Sequence, residues 1–142
     1  MRVLVTGALG HIGSKLIREL PKEFPQCEII MIDNLRTQRY CSLFNLPEEG
    51  IYKFFECDIT KADLDPIFDG IDFVIHLAAI TDAANSFANA DEVESNNFSA
   101  TKRIAEACLK TRTKLIHLSS TSVYGSQKKL VDEDCPESEL LP

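Results

Sequence analysis

The feature that most constrains this sequence is a series of three glycines, spaced three residues apart, that follows a short apolar stretch. Residues 3–5 read Val-Leu-Val, and Gly7, Gly10 and Gly13 come after them. An apolar run with β-branched residues predicts a buried strand, and glycines at its end predict a tight turn. We therefore expect this segment to form a strand that turns sharply.

Beyond the turn, apolar residues recur at helical spacing. Ile12, Leu16 and Leu20 lie four residues apart, and Pro21 is expected to end this helix. A strand, a glycine turn and a helix in this order can bind a pyrophosphate, because the glycines permit close backbone approach and the helix N-terminus offers free N–H groups. The spacing is Gly-x-x-Gly-x-x-Gly rather than Gly-x-Gly-x-x-Gly, so the usual fingerprint applies through its mechanism. The ligand implied is a dinucleotide.

An acidic residue in the expected place supports this interpretation. Asp33 follows a second apolar run at residues 29–32 and lies twenty residues beyond Gly13. A carboxylate there accepts hydrogen bonds from the adenosine ribose and repels a 2′-phosphate, so NAD is favoured over NADP. The alternative is a plain glycine loop with Asp33 as a strand-end cap. The order of strand, turn, helix and acid favours the dinucleotide site.

Composition limits the classes of partner. The chain has 142 residues, 44% of them hydrophobic and 26% charged, which suits one globular domain. Its net charge of −7 argues against nucleic acid and anionic membranes, so we expect small-molecule partners. No signal peptide or membrane-spanning run fits, which favours the cytoplasm. Five cysteines without a C-x-x-C pair are expected to be reduced thiols. His11, His76 and His117 lie apart in sequence, so no metal site is expected.

The rest of the chain alternates between strand and helix patterns. Further strands are expected at residues 51–57, 73–76 and 115–118, and a long helix at residues 91–112. Thr60 and Asp63 resemble a capping box for a short helix between the third and fourth strands. The alternation predicts an α/β fold with a Rossmann-type, doubly wound parallel sheet in the order 3-2-1-4-5, ending after the fifth strand.

Polar residues collect where the strands end. Asp33, Asp58, residues 77–80 and residues 119–122 all follow predicted strands. Ligands of such sheets bind beyond the carboxyl ends of the strands, so these residues are candidates for a site. The long helix adds Asn97, a polar residue on an otherwise apolar stripe. It either ties down neighbouring backbone or helps to hold the site, and the sequence leaves both possibilities open.

Taken together, these residues resemble the extended short-chain dehydrogenase/reductase family, in particular its NAD-dependent nucleotide-sugar epimerases and dehydratases. The resemblance covers the whole chain. It is carried by Val-Thr-Gly-Ala-Leu-Gly-His-Ile-Gly at residues 5–13, Asp33-Asn34-Leu35, Asp58-Ile59, His76-Leu77-Ala78-Ala79, Asn97 four residues before Thr101, and Ser119-Ser120 leading to Val123-Tyr124-Gly125. It implies that residues 1–142 are an NAD-binding Rossmann domain.

The resemblance also implies roles for individual residues. Asp58 and Ile59 would contact the adenine, Ala78 and Ala79 would line the nicotinamide side, and Ser120 would hold the reacting hydroxyl as the catalytic residue. The full expected cofactor-binding set is Gly7, Gly10, His11, Ile12, Gly13, Asp33, Asn34, Asp58, Ile59, Leu77, Ala78, Ala79, Asn97 and Ser119.

The sequence departs from the family at the catalytic base. In the family a tyrosinate takes the proton from a sugar hydroxyl while hydride leaves for NAD, and a lysine four residues later lowers the pKa of the tyrosine. Residues 133–142 resemble the segment before that Tyr-x-x-x-Lys motif, so the catalytic helix and the substrate lobe are expected to be absent and the chain inactive by itself. Tyr124 and Lys128 share the spacing, but Gly125 and Ser126 break any helix joining them.

Several alternatives stay open at this stage. The chain could be a non-catalytic dinucleotide-binding module, or an NADP-dependent reductase of the same family, which Asp33 disfavours. The sugar, and the choice between epimerisation and dehydration, are not determined, because both reactions begin with the same oxidation. Phe98, Ala105 and Leu109 form an apolar surface on the long helix. The family pairs such helices, so the resemblance implies a homodimer.

Overall fold

The computed structural model describes residues 1–81, 90–120, 124, 131–132 and 134–135. Its strands are β1 Arg2–Thr6, β2 Glu28–Asp33, β3 Ile51–Glu56, β4 Phe73–His76 and β5 Lys114–His117. Its α-helices are α1 His11–Glu23, α2 Asp65–Phe68 and α3 Ala90–Thr111, and a 3-10 helix spans Tyr40–Leu43.

The five strands form a parallel sheet in the order β3-β2-β1-β4-β5, which confirms the predicted fold. The chain builds one half of the sheet outward from β1, then returns to place β4 on the other side of β1. Thr6 pairs with His76 at this point of reversal, and Asp33 pairs with Glu56 on the other side of the sheet. Ligands of doubly wound sheets bind beside such a reversal.

The central strands β1 and β2 are buried on both faces of the sheet, which explains their continuous apolar runs. Ile17 of α1 packs with one set of strand residues, and Phe68 of α2 and Ile104 of α3 pack with the other. The first set includes Val3, Val5, Ile29 and Met31, and the second includes Leu4, Ile30, Ile32 and Val74. Alternate residues of each strand therefore support helices on opposite faces.

Helix α1 does not end at Pro21, and that prediction was wrong. The helix continues to Glu23 with Pro21 inside it. Proline has no N–H to donate to the carbonyl four residues earlier, which belongs to Ile17. The hydroxyl of Tyr52 on β3 donates to that carbonyl oxygen at 3.2 Å. A tertiary contact thus replaces the bond that proline removes.

The capping box predicted at Thr60 was also wrong. The Thr60 hydroxyl donates to Asp58 Oδ1 at 2.7 Å, and α2 begins only at Asp65. Asp63 instead accepts the N–H of Asp65 at 3.2 Å. Asp58 precedes Thr60 by two residues and offers it a stronger, charged acceptor. Two hydrogen bonds from Thr60 to Asp58 therefore hold the start of the loop after β3.

The long helix matches its prediction to within one residue at each end. Ala100, Ile104 and Cys108 are buried against the sheet, while Phe98 and Leu109 are 68% and 82% exposed. Within the described part of the chain, no helix is both long and apolar enough to cross a membrane.

Among the described residues, free thiols are found at Cys27, Cys41, Cys57 and Cys108. Cys27 and Cys108 are buried and pack as small apolar residues.

Candidate cofactor site

The glycine turn connects β1 to α1 and is held tightly by its neighbours. Gly7 has φ +65°, and a Cβ there would lie 2.7 Å from the backbone nitrogen of Ala78. A Cβ on Gly13 would lie 2.4 Å from the carbonyl oxygen of Gly7. A Cβ on Gly10 would meet that same oxygen at 3.2 Å. Packing therefore requires glycine at residues 7 and 13, whereas Gly10 has the most room.

Helix α1 begins at the turn without a side-chain cap. Gly10 is the N-cap residue, it makes no side-chain cap hydrogen bond, and the first turn contains no acidic residue. His11 and Ile12 are exposed, and Gly13 is buried. The first N–H groups of a helix have no partner within the helix and carry its positive dipole end. This end of α1 suits an anionic group such as a pyrophosphate.

Asp33 lies at the end of β2 with its carboxylate held against the glycine turn. Its Oδ2 accepts the N–H of Leu9 at 3.1 Å, and its Oδ1 accepts the N–H of Leu35 at 2.9 Å. These two bonds fix the orientation of the carboxylate, and each oxygen retains a lone pair for a further donor. Asn34 beside it is exposed and accepts the N–H of Arg36 at 3.1 Å.

Asp58 follows β3 and anchors the loop on which it lies. Its Oδ1 accepts the hydroxyl and the N–H of Thr60, and the Lys61 ammonium lies 3.5 Å from its Oδ2. The bonds from Thr60, with a smaller contribution from Lys61, lower the pKa of Asp58. The side chain of Ile59 is buried in the core, while its carbonyl accepts Arg103 Nε at 2.8 Å. Any contact of Ile59 with a ligand therefore falls mainly to its backbone.

The loop after β4 forms the opposite side of the site. Leu77 donates its N–H to the carbonyl of Thr6 at 3.1 Å, and both Leu77 and Ala78 approach the Thr6 hydroxyl at 3.3 Å. Ala78 is half-buried and Ala79 is exposed. The methyl side chains at 78 and 79 leave room beside the glycine turn.

The side chain of Asn97 hydrogen-bonds the loop after β4. Its Oδ1 accepts the N–H of Ile80 at 2.8 Å, and its Nδ2 donates to the carbonyl of Ile80 at 3.1 Å. The Asn97 side-chain amide thus bonds both the N–H and the carbonyl oxygen of Ile80. Asn97 ties down neighbouring backbone, at the loop that borders the glycine turn.

Ser119 and Ser120 follow β5 after Leu118 and are both exposed. Because β5 runs parallel to β4 and β4 runs parallel to β1, they lie at the same end of the sheet as the glycine turn. Tyr124 is half-buried. Lys128, which shares the Tyr-x-x-x-Lys spacing with it, lies outside the described residues, as does most of the segment 133–142.

Residues 3–142 match the NAD dependent epimerase/dehydratase family. The chain belongs to this family. Its sequence is 38% identical to the trifunctional UDP-glucose 4,6-dehydratase/UDP-4-keto-6-deoxy-D-glucose 3,5-epimerase/UDP-4-keto-L-rhamnose-reductase of Arabidopsis thaliana, over 99% of this chain and 22% of that protein.

Solved structures of this family superpose closely on the chain. The UDP-glucuronic acid 4-epimerase of Bacillus cereus in complex with NAD has 34% identity and a TM-score of 0.79, over 100% of this chain and 46% of that one. The UDP-N-acetylglucosamine 4-epimerase of Methanobrevibacter ruminantium M1 has 33% identity and a TM-score of 0.82, over 99% and 44%. The chain thus spans less than half the length of these relatives.

This family member contains a histidine pair that the sequence analysis missed. His76 is 1% exposed, and its ring stacks on that of His117 with centroids 5.5 Å apart and planes inclined by 23°. Burial, and then the neighbouring His117, lower the pKa of His76 to about 4. The signal was present in the strand register, since the two histidines pair directly on adjacent parallel strands. Separation in sequence was a poor guide to separation in space.

No group of three or more His, Cys, Asp or Glu side chains suited to a metal ion occurs in the part of the chain that the structure describes.

Proposed function

We propose that this chain is the NAD-binding part of a nucleotide-sugar epimerase or dehydratase, an enzyme that oxidises a sugar hydroxyl by hydride transfer to tightly bound NAD. The observation that carries the proposal is the position of Asp33. Its carboxylate is fixed by the N–H of Leu9, within the glycine turn itself. An acid held there can accept both ribose hydroxyls of an adenosine whose pyrophosphate lies at the N-terminus of α1.

The remaining residues would contact different parts of the cofactor. Gly10 and the N–H groups of His11, Ile12 and Gly13 would hold the pyrophosphate, and Asp33 with Asn34 would hold the ribose. Asp58 and Ile59 would border the adenine. The nicotinamide side would be lined by Leu77, Ala78, Ala79, Asn97 and Ser119. The NAD held there supplies the hydride acceptor.

Ser120 is the proposed catalytic residue within this chain. This exposed residue follows β5 at the end of the sheet that carries the glycine turn. A serine there can hydrogen-bond the sugar hydroxyl and orient it, but it cannot remove the proton without an adjacent base. A missing general base typically costs two to four orders of magnitude in rate. We therefore expect no detectable turnover by residues 1–142 alone.

Homodimer formation and a cytoplasmic location are further parts of the proposal. Phe98, Ala105 and Leu109 are exposed together on α3 and offer an apolar surface for a second copy. The free thiols at Cys27 and Cys108 suit a reducing compartment.

Calorimetric titration with NAD and NADP tests the cofactor assignment. The wild-type chain should bind NAD at least about tenfold more tightly than NADP, and Asp33→Asn should weaken NAD binding about tenfold and narrow this preference. Asp69→Asn is the matched control, because it removes the same charge between α2 and β4, at the opposite end of the sheet.

Two results would contradict the assignment. If Asp33→Asn left the ratio of NAD affinity to NADP affinity unchanged, Asp33 would not contact the ribose. NAD binding by a longer chain that contains Tyr-x-x-x-Lys yet turns over no nucleotide sugar would favour a non-catalytic binding module.

A further inference from the structure

A chain of three hydrogen-bonded polar side chains, two of them fully buried, crosses the fold beneath the candidate site. The Thr6 hydroxyl on β1 lies 2.6 Å from His76 Nδ1 on β4, and His76 Nε2 lies 3.2 Å from the Thr101 hydroxyl on α3. Thr6 is 0% exposed and His76 is 1% exposed. A polar chain so deeply buried is costly unless every donor meets an acceptor.

The hydrogen bonds around Thr6 determine which nitrogen of His76 carries the proton. The Thr6 hydroxyl oxygen accepts the N–H of Ala78 at 3.3 Å and, at the same distance, shares the N–H of Leu77 with the Thr6 carbonyl oxygen. A hydroxyl has two acceptor positions and one hydrogen, so its own hydrogen must point to His76 Nδ1. Nδ1 is therefore the acceptor, and the proton of the neutral ring lies on Nε2, which donates to Thr101.

These hydrogen bonds link the orientation of the His76 ring to the position of the loop that borders the glycine turn. The Thr6 hydroxyl accepts the backbone N–H groups of Leu77 and Ala78. Ala78 packs closely on Gly7, since a Cβ added to Gly7 would lie 2.7 Å from the Ala78 nitrogen. If Nδ1 ceases to accept, the Thr6 hydrogen loses its partner and the hydroxyl must rotate away from one of the two N–H groups. The loop would then move relative to the glycine turn.

We propose that His76, held as the Nε2–H tautomer, is a positioning residue that fixes residues 77–78 against the glycine turn and thereby sets NAD affinity without contacting NAD. The inference rests on the proposed function for its ligand. The stacked His117 ring covers His76 from the neighbouring strand. Burial and His117 also hold the pKa of His76 far below neutrality, so the ring stays neutral where NAD binding is measured.

Two substitutions of His76 test its two ring nitrogens separately. Asparagine places a carbonyl oxygen near the position of Nδ1, whereas glutamine places an amide N–H near that of Nε2. His76→Asn should keep NAD affinity within about threefold of the wild type, and His76→Gln should weaken it about tenfold, the cost of one unsatisfied buried donor. Thr6→Ser should behave as wild type, and Thr6→Val should match His76→Gln. Unfolding of each variant without NAD measures any general loss of stability.

Hydrogen exchange and NMR provide readouts that do not depend on NAD. The amide of Ala78 should exchange faster in His76→Gln than in His76→Asn. The ¹⁵N shifts of His76 should show an unprotonated Nδ1 and a protonated Nε2. Equal effects of Asn and Gln on both NAD affinity and exchange, or a proton on Nδ1, would overturn the inference. A wild-type chain with the expected tautomer and exchange pattern that binds no NAD would instead contradict the proposed function.

Discussion

The Tyr52 hydroxyl donates a hydrogen bond to the carbonyl oxygen of Ile17 across 3.2 Å, at the turn of α1 where Pro21 has no N–H to offer. The Tyr52 hydroxyl keeps its proton at neutral pH, and burial raises its pKa further. The bond joins α1 to β3, the edge strand on that side of the sheet. A proline inside a helix is thereby tolerated, because the carbonyl that it orphans is satisfied from outside.

Removing this hydroxyl should destabilise the fold. Tyr52→Phe is expected to lower the free energy of unfolding by about 1 kcal/mol, measured by urea denaturation. In a Pro21→Ala background the loss should shrink, because alanine at that position supplies the missing N–H. Tyr40→Phe, at a ring that is 57% exposed, is the control and should change little. An equal loss in both backgrounds would show that Tyr52 does not compensate for the proline.

The three glycines should separate into two classes. Gly7→Ala forces a positive φ and a backbone clash, and Gly13→Ala forces a clash with the Gly7 carbonyl, so each should cost at least about 2 kcal/mol of stability. Gly10→Ala should cost less than about 1 kcal/mol but weaken NAD binding at least about tenfold, because its Cβ fills the space for the pyrophosphate. Thermal unfolding and calorimetry measure the two effects. NAD affinity unchanged in Gly10→Ala would contradict the proposed path of the cofactor.

Asn97 should control the loop after β4. Asn97→Ala removes both bonds to Ile80 and should lower the free energy of unfolding by about 1–2 kcal/mol, with faster hydrogen exchange of the Ile80 amide. Asn97→Asp keeps the acceptor and loses the donor, so that amide should stay protected. Asn96→Ala is the control, since among the described residues its side chain bonds the Asn97 oxygen and not the backbone of Ile80. Equal exchange of Ile80 in the Ala variant and the wild type would refute this role.

Acid should destabilise the protein through His76. Its pKa is about 4 in the folded state, below the ordinary 6.5, so between these values the unfolded chain binds a proton that the folded chain does not. The free energy of unfolding should therefore fall by roughly 3 kcal/mol as pH drops from 7 to 4. The lowered carboxyl pKa of Asp58 acts below about pH 5, and mainly below its ordinary 3.8. Urea denaturation of His76→Asn should give a much flatter profile over this range, and an unchanged slope would contradict the assignment.

Association should depend on the exposed face of α3. Phe98→Ser and Leu109→Ser should weaken self-association in sedimentation equilibrium, because they remove apolar area without touching the buried face. Phe24→Ser is the control: Phe24 is 51% exposed and follows α1, which packs on the other face of the sheet. A strictly monomeric wild-type chain at high concentration would count against the homodimer.

The sequence was sufficient wherever the argument depended on local pattern. The apolar runs of β1, β2 and β4 are long enough to identify buried strands, and right-handed crossovers leave few orders for five parallel strands. The turn at Gly7 and the acid at Asp33 also follow from local chemistry, because a positive φ and a strand-end carboxylate are properties of single positions. The fold class and family rested on these features.

What only the tertiary structure decided were the partners of polar atoms that lie far apart in the chain. Pro21 predicted a helix end because its effect on its own helix is local, whereas the Tyr52 hydroxyl that rescues the helix comes from another strand. For the same reason the sequence left the role of Asn97 open and did not identify the partners of His76, because Ile80, Thr6 and Thr101 come within reach of these residues only when the sheet and α3 have packed. Burial makes each such polar group require a partner, but the topology alone determines which partner is within reach.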